Sequence, residues 1–451
     1  MAGQLILGLS ILVTLHEFGH FITAKWFKMR VDKFYLFFDF LFPIPTVLNF
    51  ALFKKKVGDT EYGLGWFPLG GYVSIAGMID ETQDAATLAK EPEPWEFRAK
   101  PAYQRLIVML GGVIVNVITG VVIFVALTFS NGNNFISKEE LNKNGIVALE
   151  LGQQIGLKTG DKVVKVNGAD YKSLADLRTS DVLLGENSSY TVLRDGQEIE
   201  VKIPSNFIEK LSDKKAAFIE PVAAFKVAEV AAPEEPGSEK GELLPAYSAG
   251  LKSGDYITAV NGQTIHFYHE IKAALAKEAG KPIKLAITRL GKSDTLSMVV
   301  AKTGQIGFIP ELLIKTTHED YTFIESVQIG TGRAFSVISD NIRGFKKIAT
   351  GDVSASKALS GPIGIAQMFG GVWDWTRFWM LTGLLSMALA FMNILPIPAL
   401  DGGHAVFLIY EMITGKPASE KVLERAQQVG MLILLALMAY TFGNDIFKVF
   451  F

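Results

Sequence analysis

Residues 4–27 read QLILGLSILVTLHEFGHFITAKWF, an apolar stretch that carries two histidines and a glutamate in its second half. Three further stretches are similarly long and apolar, at residues 103–129, 373–395 and 429–449. A helix needs roughly 20 apolar residues to cross a bilayer, so the four stretches predict transmembrane helices; buried core helices are the alternative. No basic segment precedes the first stretch and no small-residue cleavage site follows it, which favours a retained helix over a cleaved signal peptide.

The composition of the 451 residues agrees with a membrane protein and narrows the chemistry. Hydrophobic residues make up 49% of the chain, and the formal net charge is −2. This charge gives no reason to expect nucleic acid as a partner. The chain has no cysteine, so disulfides and thiolate ligands are excluded and a metal site must use histidine, aspartate or glutamate.

The first apolar stretch contains the pentapeptide His16-Glu17-Phe18-Gly19-His20. Histidines four residues apart lie on one face of a helix, so both imidazoles can reach a single ion. This spacing is a zinc metalloprotease signature in which the glutamate is the general base. Ionisable groups inside a membrane helix are functional candidates, and two core histidines beside a chance glutamate are the alternative. We predict His16 and His20 as metal ligands and Glu17 as the catalytic base.

A catalytic zinc site normally has three protein ligands and one open position, and Asp401 is the best candidate for the third. It follows Pro396 and Pro398, which end or break the third apolar stretch. Unwound backbone at membrane depth lines a cavity or a site; a helix-capping aspartate is the alternative. The other histidines form a second pool of ligands: His266, His269, His318 and His404.

One Zn²⁺ held by these three side chains would lower the pKa of its bound water toward neutrality. Glu17 would take the proton from that water and deliver it to the leaving amine. The amide of Asn393, shortly before the two prolines, would either hydrogen bond the substrate or make a structural contact between helices.

Between the first two spans, residues 62–73 read YGLGWFPLGGYV, which is apolar, glycine-rich and too short to cross a membrane. The pattern predicts a β-hairpin, either re-entrant at membrane depth or in an ordinary soluble setting. An exposed sheet edge near residues 64–73 would supply backbone hydrogen bonds to an unwound substrate. The candidate substrate contacts there are Gly70, Gly71, Tyr72 and Val73.

The soluble-looking middle of the chain contains a duplicated module. GLKTGD (156–161) with VNG (166–168) recurs at the same spacing as GLKSGD (250–255) with VNG (260–262). Gly-Asp opens a strand and Asn-Gly closes it in a tight turn, before a helical stretch (174–184 and 268–277) and later strands such as 283–289. Residues 231–242, rich in Pro, Glu and Gly, predict a mobile loop between the copies.

Residues 324–348 predict an amphipathic helix, at the membrane surface or beside the modules; a solvated connector is the alternative. Lysine and arginine are concentrated between the first two spans, which places that loop in the cytoplasm and the modules outside. The predicted domains are a first membrane part (1–130), two modules (131–215 and 216–311), connector helices (312–372) and a second membrane part (373–451).

With these motifs in this order, the chain resembles the site-2 protease family, M50, of the bacterial regulator-of-sigma-E protease type. The resemblance rests on the histidine motif, the tandem repeats, Ser360-Gly361-Pro362-Ile363, and Asn-x-x-Pro-x-Pro-x-Leu-Asp-Gly starting at Asn393. It implies a polytopic α-helical membrane protein with four transmembrane helices, a re-entrant β-hairpin at residues 63–77 that guides the substrate, and two inserted α+β PDZ-like domains. By motif, His16, His20 and Asp401 would be ligands, Glu17 the base and Asn393 a substrate contact.

The resemblance also implies a bacterial inner (cytoplasmic) membrane, with the PDZ-like domains on the periplasmic side as a size filter. The substrates would be single-span proteins in the lipid bilayer, such as pre-trimmed anti-sigma factors or remnant signal peptides. Two departures from the family pattern are visible. In the second span, Gly111-Gly112 stands where the family usually has Gly-Pro. Neither repeat has a Gly-Leu-Gly-Phe carboxylate loop, so binding of peptide ligands by the PDZ-like domains stays an open alternative.

Two other functions compete with an intramembrane zinc endopeptidase. A catalytically inactive PDZ-bearing membrane scaffold would have no need of Glu17 or Asp401, and both are present. A metal transporter is disfavoured because the apolar stretches carry one histidine pair and show no repeat of spans.

Overall fold

The computed structural model describes residues 1–40, 48–68, 70–78, 91–214, 217–231 and 245–450. The chain divides into two compact units. The first unit joins Met1–Gly132 to Asp320–Phe451, and the second unit is Asn133–Glu319. The predicted loop at residues 231–242 lies outside the described residues from position 232 onward.

The α-helices of the described residues follow one another along the chain, with short 3₁₀ helices at Phe97–Ala99 and Leu174–Arg178. They are α1 (Ala2–Trp26), α2 (Ala102–Asn131), α3 (Lys138–Asn144), α4 (Glu150–Gln154), α5 (Ser180–Leu183), α6 (Phe207–Lys214), α7 (Pro245–Ser248), α8 (Tyr268–Lys277), α9 (Phe323–Ala349), α10 (Ala355–Ala358), α11 (Pro362–Met368), α12 (Trp375–Ile394), α13 (Asp401–Thr414) and α14 (Glu420–Phe450).

The strands form one sheet in the first unit and several small sheets in the second. They are β1 (Val31–Leu36), β2 (Ala51–Val57), β3 (Thr60–Gly65), β4 (Tyr72–Ile75), β5 (Asn133–Phe135), β6 (Ile146–Ala148), β7 (Lys162–Val166), β8 (Ser189–Arg194), β9 (Gln197–Lys202), β10 (Ile219–Pro221), β11 (Ala224–Val230), β12 (Tyr256–Val260), β13 (Gln263–Thr264), β14 (Pro282–Arg289), β15 (Lys292–Val299), β16 (Phe308–Leu313) and β17 (Thr317–Glu319).

Four helices of the first unit are long and apolar enough to cross a membrane, as the four sequence stretches predict. They are α1, α2, α12 and, within α14, the segment Lys421–Lys448. The last span begins several residues before the predicted 429, because helical structure continues through the polar residues ahead of the apolar run. The chain is therefore a multi-pass membrane protein, and α2 is its central helix, in contact with α1, α9, α12 and α13.

The sheet of the first unit differs from the predicted hairpin. Its strand order is β2-β3-β1-β4, with β3 parallel and β4 antiparallel to β1. Residues 62–73 therefore do not pair with themselves, because β1 inserts between the two halves of that segment. The hairpin of this sheet is instead β2–β3, which turns at Gly58 with a φ of +61°.

Helix α9 confirms the helix predicted at residues 324–348. Its packing partners are other helices of the first unit. It packs against the spanning helices α2 and α12, with Phe345 against the ring of Phe391 at 5.7 Å. Close to its C-terminus, Lys347 is buried and donates to Asp352 at 3.2 Å. The alternative of a solvated connector is wrong, because the side of α9 with Gly330 and Ala334 is buried against other helices, although Phe335 and Ile342 are exposed.

The second unit contains the duplicated module as two hydrophobic cores. In both copies the Asn-Gly pair has positive φ at both residues: +49° and +75° at Asn167 and Gly168, +49° and +82° at Asn261 and Gly262. This backbone suits a type I′ turn, and it confirms the predicted strand-closing role of each pair. Phe218 and Ile219 belong to the first core, just beyond the boundary expected at 215/216.

An ion pair between a buried aspartate and a partly exposed arginine is repeated at the same position of both modules. The guanidinium of Arg194 donates to both oxygens of Asp161 at 2.7 Å, and that of Arg289 to both oxygens of Asp255 at 2.6 Å. Burial alone would raise the pKa of Asp255, but Arg289 and the backbone N–H of Lys252 together lower that pKa below its ordinary value of 3.8. The charged carboxylate therefore stabilises the folded module.

We predict that Asp255→Asn lowers the melting temperature of the second module by about 5 °C or more, because the half-buried guanidinium of Arg289 loses the buried carboxylate that accepts two of its hydrogen bonds. The carboxylate contributes stability above pH 3.8, and the contribution is lost as the pH falls through its lowered folded pKa. Thermal unfolding of the full chain against pH measures both effects. Glu229→Gln, at an exposed position of the same module, is the control, and equal melting of the two variants would contradict the prediction.

Candidate metal centre

Three side chains from distant parts of the chain meet inside the first unit. His16 and His20 lie one turn apart on α1, with ring centroids 4.8 Å apart. Asp401 is the first residue of α13, which begins after the break that Pro396 and Pro398 make beyond the end of α12. Within that break Ala399 has a φ of +81°, a left-handed backbone that is rare for a residue other than glycine.

The ligating atoms of these three residues form a compact triangle. Nε2 of His16 lies 3.2 Å from Nε2 of His20 and 3.2 Å from Oδ2 of Asp401, and Nε2 of His20 lies 3.5 Å from that same oxygen. Ligands at zinc bond lengths occupy tetrahedron corners about 3.3 Å apart. Oδ2 of Asp401 is buried without a hydrogen bond from the described residues. The donor set and its spacing therefore fit a zinc ion with a fourth position left open.

Hydrogen bonds on the far side of each imidazole fix which nitrogen faces the site. Nδ1 of His20 lies 2.8 Å from the carbonyl oxygen of Val108, so it is the nitrogen that carries the proton. The side-chain amide of buried Asn116 lies 3.2 Å from Nδ1 of His16, and its oxygen has no partner among the described residues. When the amide is turned so that this oxygen accepts from Nδ1–H, Nε2 of His16, like that of His20, carries no proton and can bind a metal.

Glycine residues let α2 approach both imidazoles. A Cβ at Gly112 would lie 2.5 Å from Cε1 of His16 and 2.6 Å from Nε2 of His20. A Cβ at Gly19 would lie 2.3 Å from the carbonyl oxygen of Gly111, so α1 and α2 cross in backbone contact. Helix α2 is continuous through this point. A residue with a side chain would stabilise the helix more than Gly112 does, but its Cβ would overlap the two imidazoles.

Glu17 lines a cavity of about 230 Å³ together with His16, His20 and Asp401. The carboxyl group faces His16, His20, Asp401 and the backbone amide of Val73. Strand β4 is at an edge of its sheet, since β1 is its one neighbour in the strand order of the described residues. The cavity thus has an acid–base group and a strand edge on the same wall.

Most of the predicted site residues line this cavity or lie beside it, and the others do not. Gly71, Tyr72 and Val73 line the cavity, whereas Gly70 packs on the ring of Phe38 and does not line it. The amide of Asn393 lies 3.3 Å from Nε2 of His16. Among the other histidines, His404 lines the cavity one turn after Asp401, and the remaining three belong to the second unit.

Sequence reasoning did not assign a role to Asn116 or Gly112. The signal for Asn116 was a single amide inside an apolar span, since a polar side chain there needs a partner. Gly112 has no comparable signal, because glycine is common in membrane helices for several reasons.

Comparison with known proteins places the chain in a family. The model of peptidase family M50 matches residues 4–437, almost the whole chain. The chain belongs to peptidase family M50. The predictions of family and of a metallopeptidase are confirmed by this match, and the matched span includes all three proposed ligands.

Curated relatives align over nearly their entire length. The chain is 29% identical over 462 residues to the regulator of sigma-E protease RseP of Escherichia coli K12, with 98% of this chain and 97% of that protein covered. It is 28% identical to protease RseP of Yersinia pestis, with the same coverage. A protein of Neisseria meningitidis, also 28% identical with the same coverage, carries zinc metalloprotease in its name. The prediction of zinc as the cofactor agrees with that name.

We predict that Gly112→Ala reduces bound zinc at least tenfold, because its methyl group would occupy the space of both ligand rings. Metal analysis of the purified full-length protein checks this. Gly443→Ala is the matched control, since a Cβ at Gly443, also on a spanning helix, would meet no atom within 4 Å. Equal zinc content in the two variants would show that α2 does not position the histidines.

Proposed function

We propose that the chain is an intramembrane zinc endopeptidase that cuts the transmembrane segments of single-span membrane proteins. The observation that carries this proposal is the position of Glu17, inside a spanning helix and beside the convergence of His16, His20 and Asp401. A carboxylate and three metal ligands around one cavity are the parts that hydrolysis of a peptide bond requires.

The proposed chemistry assigns one role to each side chain. His16, His20 and Asp401 would hold a zinc ion, which supplies an activated water and polarises the scissile carbonyl. Glu17 takes the proton of the attacking water and delivers it to the leaving amine. Asn393 is near enough to His16 to orient that ring or to donate to the substrate backbone.

A substrate helix must unwind before its peptide bonds become accessible, because a helix keeps them in internal hydrogen bonds. We assign β4 as the edge that receives the unwound segment, since pairing there replaces the lost backbone hydrogen bonds. Val73, on that strand, is beside Glu17. A segment paired with β4 would therefore pass the catalytic base in an extended conformation.

The relatives and the charge pattern support a cellular setting. Relatives carry the name regulator of sigma-E protease, and we propose pre-trimmed anti-sigma factors or remnant signal peptides as substrates. We place the protein in a bacterial inner membrane, with β1–β4 re-entrant from the cytoplasmic side and the second unit outside. Its two modules, at about 131–215 and 216–311, would be PDZ-like domains that exclude bulky substrates or bind peptide ends.

An inactive membrane scaffold is the main rival to this proposal. Such a scaffold needs neither a convergent ligand triangle nor a carboxylate aimed at the same cavity, and both features are present among the described residues. Cleavage and metal binding therefore separate the two functions.

We predict that Glu17→Gln abolishes cleavage of a single-span model substrate in reconstituted membranes, by at least about 1000-fold, because the water loses its proton acceptor. The variant should keep its zinc, since Glu17 is not a ligand in the proposed site. Asp401→Ala should lose both zinc and activity. Retained cleavage by the glutamine variant would remove Glu17 as the base, and unchanged zinc in the alanine variant would remove Asp401 as a ligand.

We also predict that a disulfide forms between Val73→Cys and a single cysteine near the cleavage position of the substrate, because β4 and the substrate would be adjacent strands. The natural chain has no cysteine, so each cross-link reports one position. Val57→Cys, on the opposite edge strand β2 of the same sheet, is the control. Equal cross-linking at both positions would contradict a role for β4.

A further inference from the structure

Strand β2 forms the edge of the sheet away from the cavity, with β3 as its one neighbour in the strand order of the described residues. Its side chains change character along the strand. Phe50, Leu52 and Phe53 are 51%, 63% and 62% exposed near its beginning. Lys54, Lys55 and Lys56 follow, are exposed, and have no ion-pair partner among the described residues. Neither the apolar nor the basic part is used by the proposed chemistry.

The same gradient continues from β2 into the neighbouring strands β3 and β1. Lys56 is opposite Glu61, and Glu61 is opposite Lys33, so charged residues share the end of the sheet where β1 begins. Aromatic residues share the far end, where Phe50 stacks on Trp66 with ring centroids 5.7 Å apart. Five residues of strand cover roughly 16 Å, which is enough to reach from the acyl boundary to the headgroups of a leaflet.

The charged end of the sheet is predominantly basic. Residues 25–33 and 54–61 contain seven basic side chains and three acidic ones. Two of those acids already have partners within the unit: Asp32 accepts from Arg30 at 2.8 Å, and Glu61 accepts from the hydroxyl of Tyr35 at 2.7 Å. The Tyr35 hydroxyl is neutral and leaves the charge of Glu61 in place, but the basic residues outnumber the acidic ones, so the two segments carry a formal net charge of +4.

We propose that Lys54, Lys55 and Lys56 bind the headgroups of anionic phospholipids while Phe50, Leu52 and Phe53 enter the acyl boundary beside them. Exposed basic residues next to exposed aromatic and aliphatic residues are complementary to the anionic surface of a bilayer. An acidic soluble peptide would match the lysines but would leave the apolar end of β2 in water. The bilayer is the occupant that matches both parts.

Lipid binding at β2 would act on the cavity through the sheet. The strand order β2-β3-β1-β4 connects the lysines to Val73 by continuous backbone pairing. Anchoring one edge in the headgroups would therefore fix the depth of the other edge, which lies beside Glu17. The inference about lipid does not depend on proteolysis, since it concerns binding at the opposite edge of the sheet.

The test uses a single cysteine, Leu52→Cys, in the otherwise cysteine-free full-length chain. An environment-sensitive fluorophore on that cysteine reports the polarity around the apolar end of β2. The labelled protein in neutral detergent is titrated with phosphatidylglycerol and, separately, with phosphatidylcholine. We expect a saturable blue shift with phosphatidylglycerol at a concentration at least about tenfold below any change with phosphatidylcholine, since each lysine favours an anionic surface about fivefold.

The three lysines are then replaced together by Lys54→Gln, Lys55→Gln and Lys56→Gln. The phosphatidylglycerol midpoint should rise about tenfold or more. Lys158→Gln, Lys162→Gln and Lys165→Gln, at exposed positions of the second unit, remove the same charge and should leave the midpoint unchanged. Identical curves for the two lipids, or an unshifted midpoint in the β2 variant, would overturn the proposal. A shift produced by polyglutamate but not by phosphatidylglycerol would overturn it in favour of an acidic protein partner.

The lipid titration and the cleavage assay fail independently. A labelled Glu17→Gln protein should titrate with phosphatidylglycerol like the labelled parent, because Glu17 is not part of β2. If that protein binds the lipid but the parent cuts no substrate, the proposed proteolysis fails and the lipid inference stands. If the parent cuts substrate but binds both lipids equally, the lipid inference fails and the proposed proteolysis stands.

Discussion

Close contact between the backbones of α1 and α2 is the constraint on which the metal centre depends. Apolar side chains gain nothing by leaving lipid for one another, so spanning helices associate tightly where small residues let their backbones meet. Gly19 and Gly111 make that contact, and Gly112 continues it alongside both imidazoles. The approach brings the carbonyl of Val108 and the amide of Asn116 within reach of the rings. The arrangement of the proposed ligands His16 and His20 is therefore set by helix packing.

Helix α2 also packs beside Asp401, the third proposed ligand. It contacts both α12 and α13, which flank the proline break. Immediately after Asp401, a Cβ at Gly402 would lie 2.4 Å from the carbonyl oxygen of Ile394 at the end of α12. A Cβ at Gly403 would lie 2.4 Å from that of Ile397 in the break. The chain thus folds tightly back on itself between the two helices. Proline ends one helix, glycine permits the sharp re-entry into the next, and the aspartate at that junction points to the histidines.

Sequence patterns predicted the features that depend on neighbouring residues. They did not predict contacts between residues that are distant in the sequence. Hydrophobic length alone indicated the four spans, and the spacing of His16 and His20 indicated their shared face. The two prolines located Asp401 at a break. The position of β1 between β3 and β4 was not predictable. Alternation of apolar and polar residues favours a strand but does not indicate which strands pair with it. Asn116 was visible as a polar residue in a span, yet its partner His16 is on another helix.

The membrane unit is discontinuous in sequence, with the second unit inserted between its two parts. His16, His20 and Glu17 belong to the part that is synthesised first, and Asp401 belongs to the part that is synthesised last. A ribosome must therefore translate almost the entire chain before these side chains can meet. The proposed metal centre is thus assembled only after both parts of the membrane unit have been made.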